Sequence, residues 1–546
     1  MYKKINILSF LLLSLLIVTI VTIQSLLQHW SGDWDLDFWY IYNASIMSSG
    51  IQQEWYDHPA TTVLSLYSIF YKIYSFVDHS FIYKINEIMD ANDPNIALQK
   101  LFFVTRIFDS INTILIVFFT FKISKILSSK DLYAYFLTLT VVVSATFFQN
   151  LSVLNSEDWA VLFFLISFYF FLKFFIYNNI TFLLLSGLFF FFSFFTKISI
   201  LFLFIFIILL IPIFCEMYLI KSNNSIQKWI EKNFTLLFGS YLIFLLFYFI
   251  IHVFVLDKLD PFSRNAGLDV TIILTLNLIY MVFFLIISKF KYIKFKTYFS
   301  IFILFLLGFS TGIIIFLAID ILNIAKLNPK ILVHLVKPFY KMLNFAYAPS
   351  GMESNMLGPA LLGTSIDMFS EALLVLSKIF SNFRFDNFLF IGLCLIFTMS
   401  VLKDLSNKNT YYFLFKIIIF ISLLFNTLLW NFRWWIEYNI LVHILYVILL
   451  SVCFKNLPNN MIKFFCIIST IYILIFLPIK KYTYYSKLLS PRPSVLVDLC
   501  NNFGSHKPPD NYFIFERYSK QFNSDTFSKI CNLPKSRFRG DKYVLE

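Results

Sequence analysis

Charge is what this chain has least of. Asp, Glu, Lys and Arg make up 14% of its 546 residues, against 59% hydrophobic residues and a mean hydropathy of +0.76. A water-soluble protein of that length needs far more charge to cover its surface, so lipid must cover it instead. Metal-ligand cysteine spacing is also missing, because the six cysteines include no C-x-x-C. No basic, aromatic-interleaved soluble segment exists, so the net charge of +13 is not read as nucleic-acid binding and no nucleic-acid partner is expected. No internal repeat or inverted pair of broken helices is visible, which counts against a secondary transporter.

Phenylalanine is what the chain has in excess, with 72 residues, and Lys, Ile and Asn are plentiful too. These residue types have AT-rich codons, so the Phe runs are read as compositional bias rather than as aromatic binding platforms.

Met1 to Lys4 is a short basic start, followed by an apolar run from Ile5 to Leu27. The run is long for a signal-peptide core, and its exit through Gln28, His29 and Trp30 has no small-residue cleavage site. It predicts an uncleaved first helix with its N-terminus inside. Further apolar runs lie near 102–121, 132–149, 159–177, 181–195, 198–220, 234–256, 268–288, 298–322, 386–402, 412–430, 436–454 and 462–479. The fold class expected is an all-α polytopic membrane protein with about thirteen transmembrane helices, interfacial helices in the first outside loop and a small C-terminal extracytoplasmic tail.

Threading the chain through these runs puts Lys130 and the segments 221–232, 289–296, 403–408 and 455–463 on the side that holds Lys3 and Lys4. That is the cytoplasmic side by the positive-inside rule, in a bacterial inner or plasma membrane. The long connections 28–101 and 321–385 and the tail then lie outside, where long loops usually carry function. Residues 1–480 form the transmembrane catalytic domain in this reading, and 481–546 a small appendage near the lower size limit for folding alone. Cys500 and Cys531 share that tail, either as a disulfide or as two free thiols.

Candidate chemistry begins in the first outside loop, with Asp33-Trp-Asp35-Leu-Asp37-Phe-Trp-Tyr40-Ile-Tyr42. If helical, Asp33 and Asp37 share a face while Trp34, Phe38 and Ile41 turn towards the membrane interface. A carboxylate held near such a surface becomes a competent general base; the plain alternative is an acidic loop edge with no role. Glu54-Trp-Tyr-Asp57-His58-Pro59 offers an Asp–His pair, a phosphate donor in His58, or simply a turn capping the helix that Pro59 starts. Asn155-Ser156-Glu157-Asp158 reads as an N-cap before a span, with Asp158 serving the cap and Glu157 left over. Lys197 interrupts an apolar stretch after Thr196, either as a functional charge or as a snorkelling one. Arg106 raises the same question, as does Arg433, which could simply pair with Glu437.

In order and side, these features resemble the GT-C superfamily of membrane glycosyltransferases, nearest to the protein O-mannosyltransferase and lipid A aminoarabinose transferase branch. An acidic D…Y…A…G first loop is matched by Asp37, Tyr40, Ala44 and Gly50, and an H-P element before an interfacial helix by His58-Pro59. Arg106 in the second span, Ser156-Glu157, Gly187 with Thr196-Lys197, and loosely Arg433-Trp434 complete the match over about two-fifths of the chain. The pattern departs from the family in having D-x-D-x-D rather than an Asp-Glu pair, and Ala60 after His58-Pro59.

The resemblance implies a polyprenyl-phosphate-linked sugar as donor and a hydroxyl of a lipid, glycan or protein as acceptor. It implies Asp37, or Asp35 in its place, as catalytic base, with Glu157 as a further catalytic residue that helps to position the acceptor. Lys197, Arg106, Arg433 and His58 would bind the donor phosphate, and Tyr40, Asp57 and Asp158 would position substrate. No cofactor is firmly implied, and a divalent cation could bind if Asp33, Asp35, Asp37 and Glu157 converge. Two other readings stay open. An O-antigen polymerase or ligase would use His334, Lys337, Lys341 and Glu353 of the loop 321–385, and a lipid or polysaccharide transporter would use charges in mid-span such as Asp109 and Asp320.

Overall fold

The computed structural model describes residues 2–30, 37–54, 60–142, 144, 147, 151, 153–197, 200–219, 225–259, 266–290, 295–332, 387–431 and 439–471. Asp33, Asp35, Asp57, His58, Arg433, Glu437, Cys500 and Cys531 lie outside these residues, as do most of 321–385 and the tail. Every regular element among the described residues is a helix. In chain order these are α1 (Tyr2–Leu27), α2 (Trp39–Ser48), α3 (Thr61–Val77), α4 (Ile85–Met89), α5 (Pro94–Ser128), α6 (Asp131–Val142), α7 (Ser156–Tyr177) and α8 (Ile180–Thr196). They continue as α9 (Leu201–Phe214), α10 (Ser225–Leu259), α11 (Ala266–Phe290), α12 (Phe295–Ile321), α13 (Asn387–Ser406), α14 (Thr410–Asn431), α15 (Asn439–Asn456) and α16 (Asn459–Ile471).

Five of the helices carry stretches long and apolar enough to cross a membrane: Phe10–Leu27, Pro94–Ser128, Ser156–Tyr177, Gln227–Ile250 and Phe295–Ile321. Several of them have exposed apolar outer faces, with Leu11, Leu12 and Leu15 on α1, Leu236, Ile243 and Leu246 on α10, and Ile314, Leu317 and Ile321 on α12. Water does not stabilise such a continuous surface, and lipid does.

Local chemistry sets the boundaries, and in places they differ from the hydropathy pattern. The expected run 102–121 belongs to a helix that starts at Pro94, because Asp93 caps it by accepting from Asn95 N at 3.1 Å and Ile96 N at 3.3 Å. Proline at the first helical position loses no hydrogen bond, so the helix claims the last part of the expected first loop. Within the run 132–149 the described helix covers Asp131–Val142, and 198–220 contains α9 followed by a π-turn, Cys215–Leu219, just after Pro212. Ser129 (φ 61) and Asn178 (φ 52) take left-handed conformations that end α5 and α7 in two-residue turns.

The bundle has two distinguishable ends. At one, Gln99 at the start of α5 accepts from Trp30 N and donates to Gln28 O, both at 2.9 Å, which fixes the exit of α1. At the other, the turn after α5 meets the start of α16 where Lys130 and Tyr133 donate to Asn459. Asn456 donates to Asp404 there at 2.5 Å, and the Lys416 ammonium, fully buried, pairs with the same carboxylate at 2.5 Å. Arg106 and Ser128 mark the two ends on α5, roughly 33 Å apart at 1.5 Å per residue.

One expectation is reversed inside the first loop. Phe38 and Ile41 do not turn towards a membrane interface: both are fully buried, Phe38 stacked on Tyr42 and tilted against Trp30. All ten residues of α2 are buried, so it is a core helix with no outward face.

Candidate active site

The connection before α7 is held from two sides. Asp37, 1% exposed, accepts from Leu154 N through Oδ1 at 2.6 Å. Arg106, also 1% exposed, donates Nη2 to the Leu151 carbonyl. A carboxylate from the start of α2 and a guanidinium from α5 therefore grip the same short segment, which runs directly into Ser156-Glu157. Hydrogen bonds with one charged partner are the stronger kind, and burial strengthens them further.

Asn155 caps α7 by accepting from Asp158 N at 3.0 Å. This corrects the assignment of the cap to Asp158, which instead occupies the first turn as a buried acid. Ser156 Oγ donates to Glu157 Oε2 at 3.2 Å, and the other oxygen of Glu157 forms an ion pair with Lys197. Their side chains are 8% and 7% exposed, so Lys197 does not snorkel to solvent but ends α8 inside the protein. One turn earlier, Ser193 Oγ donates to the Ala160 carbonyl at 2.6 Å and joins α8 to α7 where the ion pair forms.

Tyr40 is buried with its ring edge-on to Tyr67 at 6.5 Å. The Tyr67 hydroxyl donates to Asp109 Oδ1 at 2.9 Å, and Trp159 Nε1 donates to the same oxygen at 2.6 Å. Burial first, then the Asp109 carboxylate, raises the Tyr67 phenol well above its ordinary value, so it stays a donor. Tyr42 behaves alike: burial and then Glu54, whose Oε2 lies 2.9 Å from the hydroxyl, push its phenol upward. Glu54 is also fixed through its backbone, with N donating to Asn43 Oδ1 at 3.1 Å.

The structure thus brings Asp37, Arg106, Asp158, Glu157 and Lys197 around one segment, with Tyr40 on the adjoining α2. Asp35, Asp57, His58 and Arg433 lie outside the described residues. Tyr67, Trp159 and Glu54 were missed as site residues, and Asp109 was noted only as a charge within an apolar run. An apolar stretch carrying an acid needs donors, and aromatic N–H and O–H groups are the donors least costly to bury there. No group of three or more His, Cys, Asp or Glu that could hold a metal occurs among the described residues. Of the four carboxylates proposed for a divalent cation, Glu157 is already paired with Lys197.

The arrangement offers a fixed buried carboxylate for proton transfer, a buried guanidinium that holds the same connection, and an ammonium held by its own counter-ion. No known protein family, curated protein or solved structure matches this chain.

Proposed function

We propose that the chain is an integral membrane glycosyltransferase that moves a sugar from a polyprenyl-phosphate donor to an acceptor hydroxyl. In this reading about thirteen spans cross the membrane, the lysine-rich bundle end faces the cytoplasm, and the Asp37 end faces outward. Nucleotide sugars are cytoplasmic, so an outward site needs a sugar already carried across, and a lipid phosphate is both carrier and leaving group.

The observation that carries the reading is the contact between Asp37 and Leu154 N. It brings the acidic first loop to the Ser-Glu turn, two elements more than a hundred residues apart. Asp37 accepts the proton of the acceptor hydroxyl as its oxygen forms a bond to the anomeric carbon. The bond from that carbon to the phosphate oxygen breaks, and the electron pair leaves with the polyprenyl phosphate. Single displacement inverts the anomeric centre. Arg106 and Lys197, with Arg433 and His58 as further candidates, supply positive charge where the phosphate gains its negative charge. Glu157 keeps Lys197 in place, and its own part is to hold that cation. Asp35 stays the substitute base.

The test is sugar transfer in proteoliposomes from a polyprenyl-phosphate sugar to a cell-envelope acceptor fraction. Asp37→Asn should lower kcat by about 10²–10⁴, the usual worth of a general base. Full turnover by an Asp35→Asn, Asp37→Asn double variant overturns the mechanism.

A further inference from the structure

A carboxylate that the transfer mechanism leaves unused lies beside the site. Asp109 sits three residues after Arg106 on α5, so the two share a helix face, and it is buried. Its Oδ1 accepts from Trp159 Nε1 at 2.6 Å and from the Tyr67 hydroxyl at 2.9 Å, and those two donors are 3.1 Å from one another. One oxygen atom thereby joins α3, α5 and α7. Phe108 closes the cluster, 5.8 Å from the Trp159 ring and stacked on Phe70 at 4.1 Å, so the bonds are made in apolar surroundings where they are costly to break.

The position of these donors gives the cluster its meaning. Trp159 is two residues beyond Glu157 in the opening of α7, and Tyr67 carries the ring against which Tyr40 rests. We infer that Asp109 is a positioning residue for the candidate site. Through Trp159 it fixes the first turn of α7 and so the Glu157–Lys197 pair, and through Tyr67 it fixes the support of Tyr40. It touches no reacting atom. Its effect on geometry stands by itself, and only its effect on sugar transfer rests on the function proposed above.

The test reads Lys197 directly. The full chain in detergent is treated with a small amine-reactive ester and labelling is measured at each lysine by mass spectrometry. In the unaltered protein Lys197 and Lys416 both resist, since each is a buried partner of a carboxylate. Asp109→Asn replaces a charged acceptor by a weaker one and should raise Lys197 labelling on the order of tenfold. Lys416, at the other bundle end, should stay protected and so report an intact fold. Trp159→Phe should give a smaller rise, again confined to Lys197. Continued protection of Lys197 in both variants overturns the inference. So does Lys416 opening in step with Lys197 in both, which would make Asp109 a general packing residue. In the transfer assay Asp109→Asn should lower kcat more than it raises KM for the donor. If the unaltered protein transfers no sugar while the Lys197 response holds, the transferase reading fails and the positioning role survives.

Discussion

Gly187 of α8 and Gly308 of α12 meet so closely that neither position has room for a side chain. A Cβ on Gly187 would lie 2.0 Å from the Phe305 carbonyl oxygen, and one on Gly308 would lie 2.1 Å from that of Leu184. The obstacles are backbone, which cannot rotate aside. The contact anchors the helix that ends in Lys197.

Gly308→Ala and Gly187→Ala should therefore each destabilise the protein by about 1–3 kcal/mol, the usual cost of overpacking. Gly239→Ala on α10 is the control, because nothing lies within 4 Å of its Cβ position. Melting curves in detergent should separate the two classes, with Gly239→Ala neutral or slightly stabilising. Equal effects at all three positions would mean that the two helices are not in backbone contact.

The Glu157–Lys197 pair should behave as a unit. Glu157→Gln or Lys197→Met leaves one charge buried without its counter-ion, a change that typically costs about 3–5 kcal/mol. The double variant removes both charges and should be much less destabilised than the sum of the singles. A double-mutant cycle in urea supplies the coupling energy, and strict additivity would show that the two charges do not interact.

His29 should make stability depend on acidity. Burial lowers its imidazole from the usual 6.5 to about 3, and the ring packs on Trp30 at 5.1 Å. In the unfolded chain this imidazole takes up a proton below pH 6.5, while in the folded protein it stays neutral until about pH 3. Stability is thus greatest above 6.5 and falls through that window, by up to about 1.4 kcal/mol per pH unit. Melting temperature measured from pH 7 to pH 4 should fall more steeply for the unaltered protein than for His29→Gln. Parallel slopes would rule out this histidine as the cause.

Much of the helical pattern was legible in the sequence, because an apolar run between lysines has few other solutions. Boundaries were less so: Asp93-Pro94 carries a capping signal, yet a hydropathy reading passes over it since the first turn of α5 is polar. The candidate site was legible as an ordered set of motifs, in which Asp37, Glu157, Lys197 and Arg106 stood out because charge near lipid is costly. Their partners were not. Glu157 and Lys197 are forty residues apart, and no local rule pairs the start of one helix with the end of another. Tyr67 and Trp159 were hidden by composition, since in a chain so rich in aromatics a ring that donates to Asp109 looks like a ring that only packs. Gly187 was noticed as part of a motif, but its purpose became visible only with Gly308 opposite.

The two grips on the segment before α7 have a consequence for the charges that make them. Arg106 holds a peptide oxygen at Leu151, and Asp37 holds a peptide hydrogen at Leu154. The guanidinium and the carboxylate thus bind main-chain groups three residues apart, each facing the pole of the peptide that suits its sign. A shift of that segment would therefore release an acid and a cation together, so the two grips couple the first loop and α5 to the start of α7.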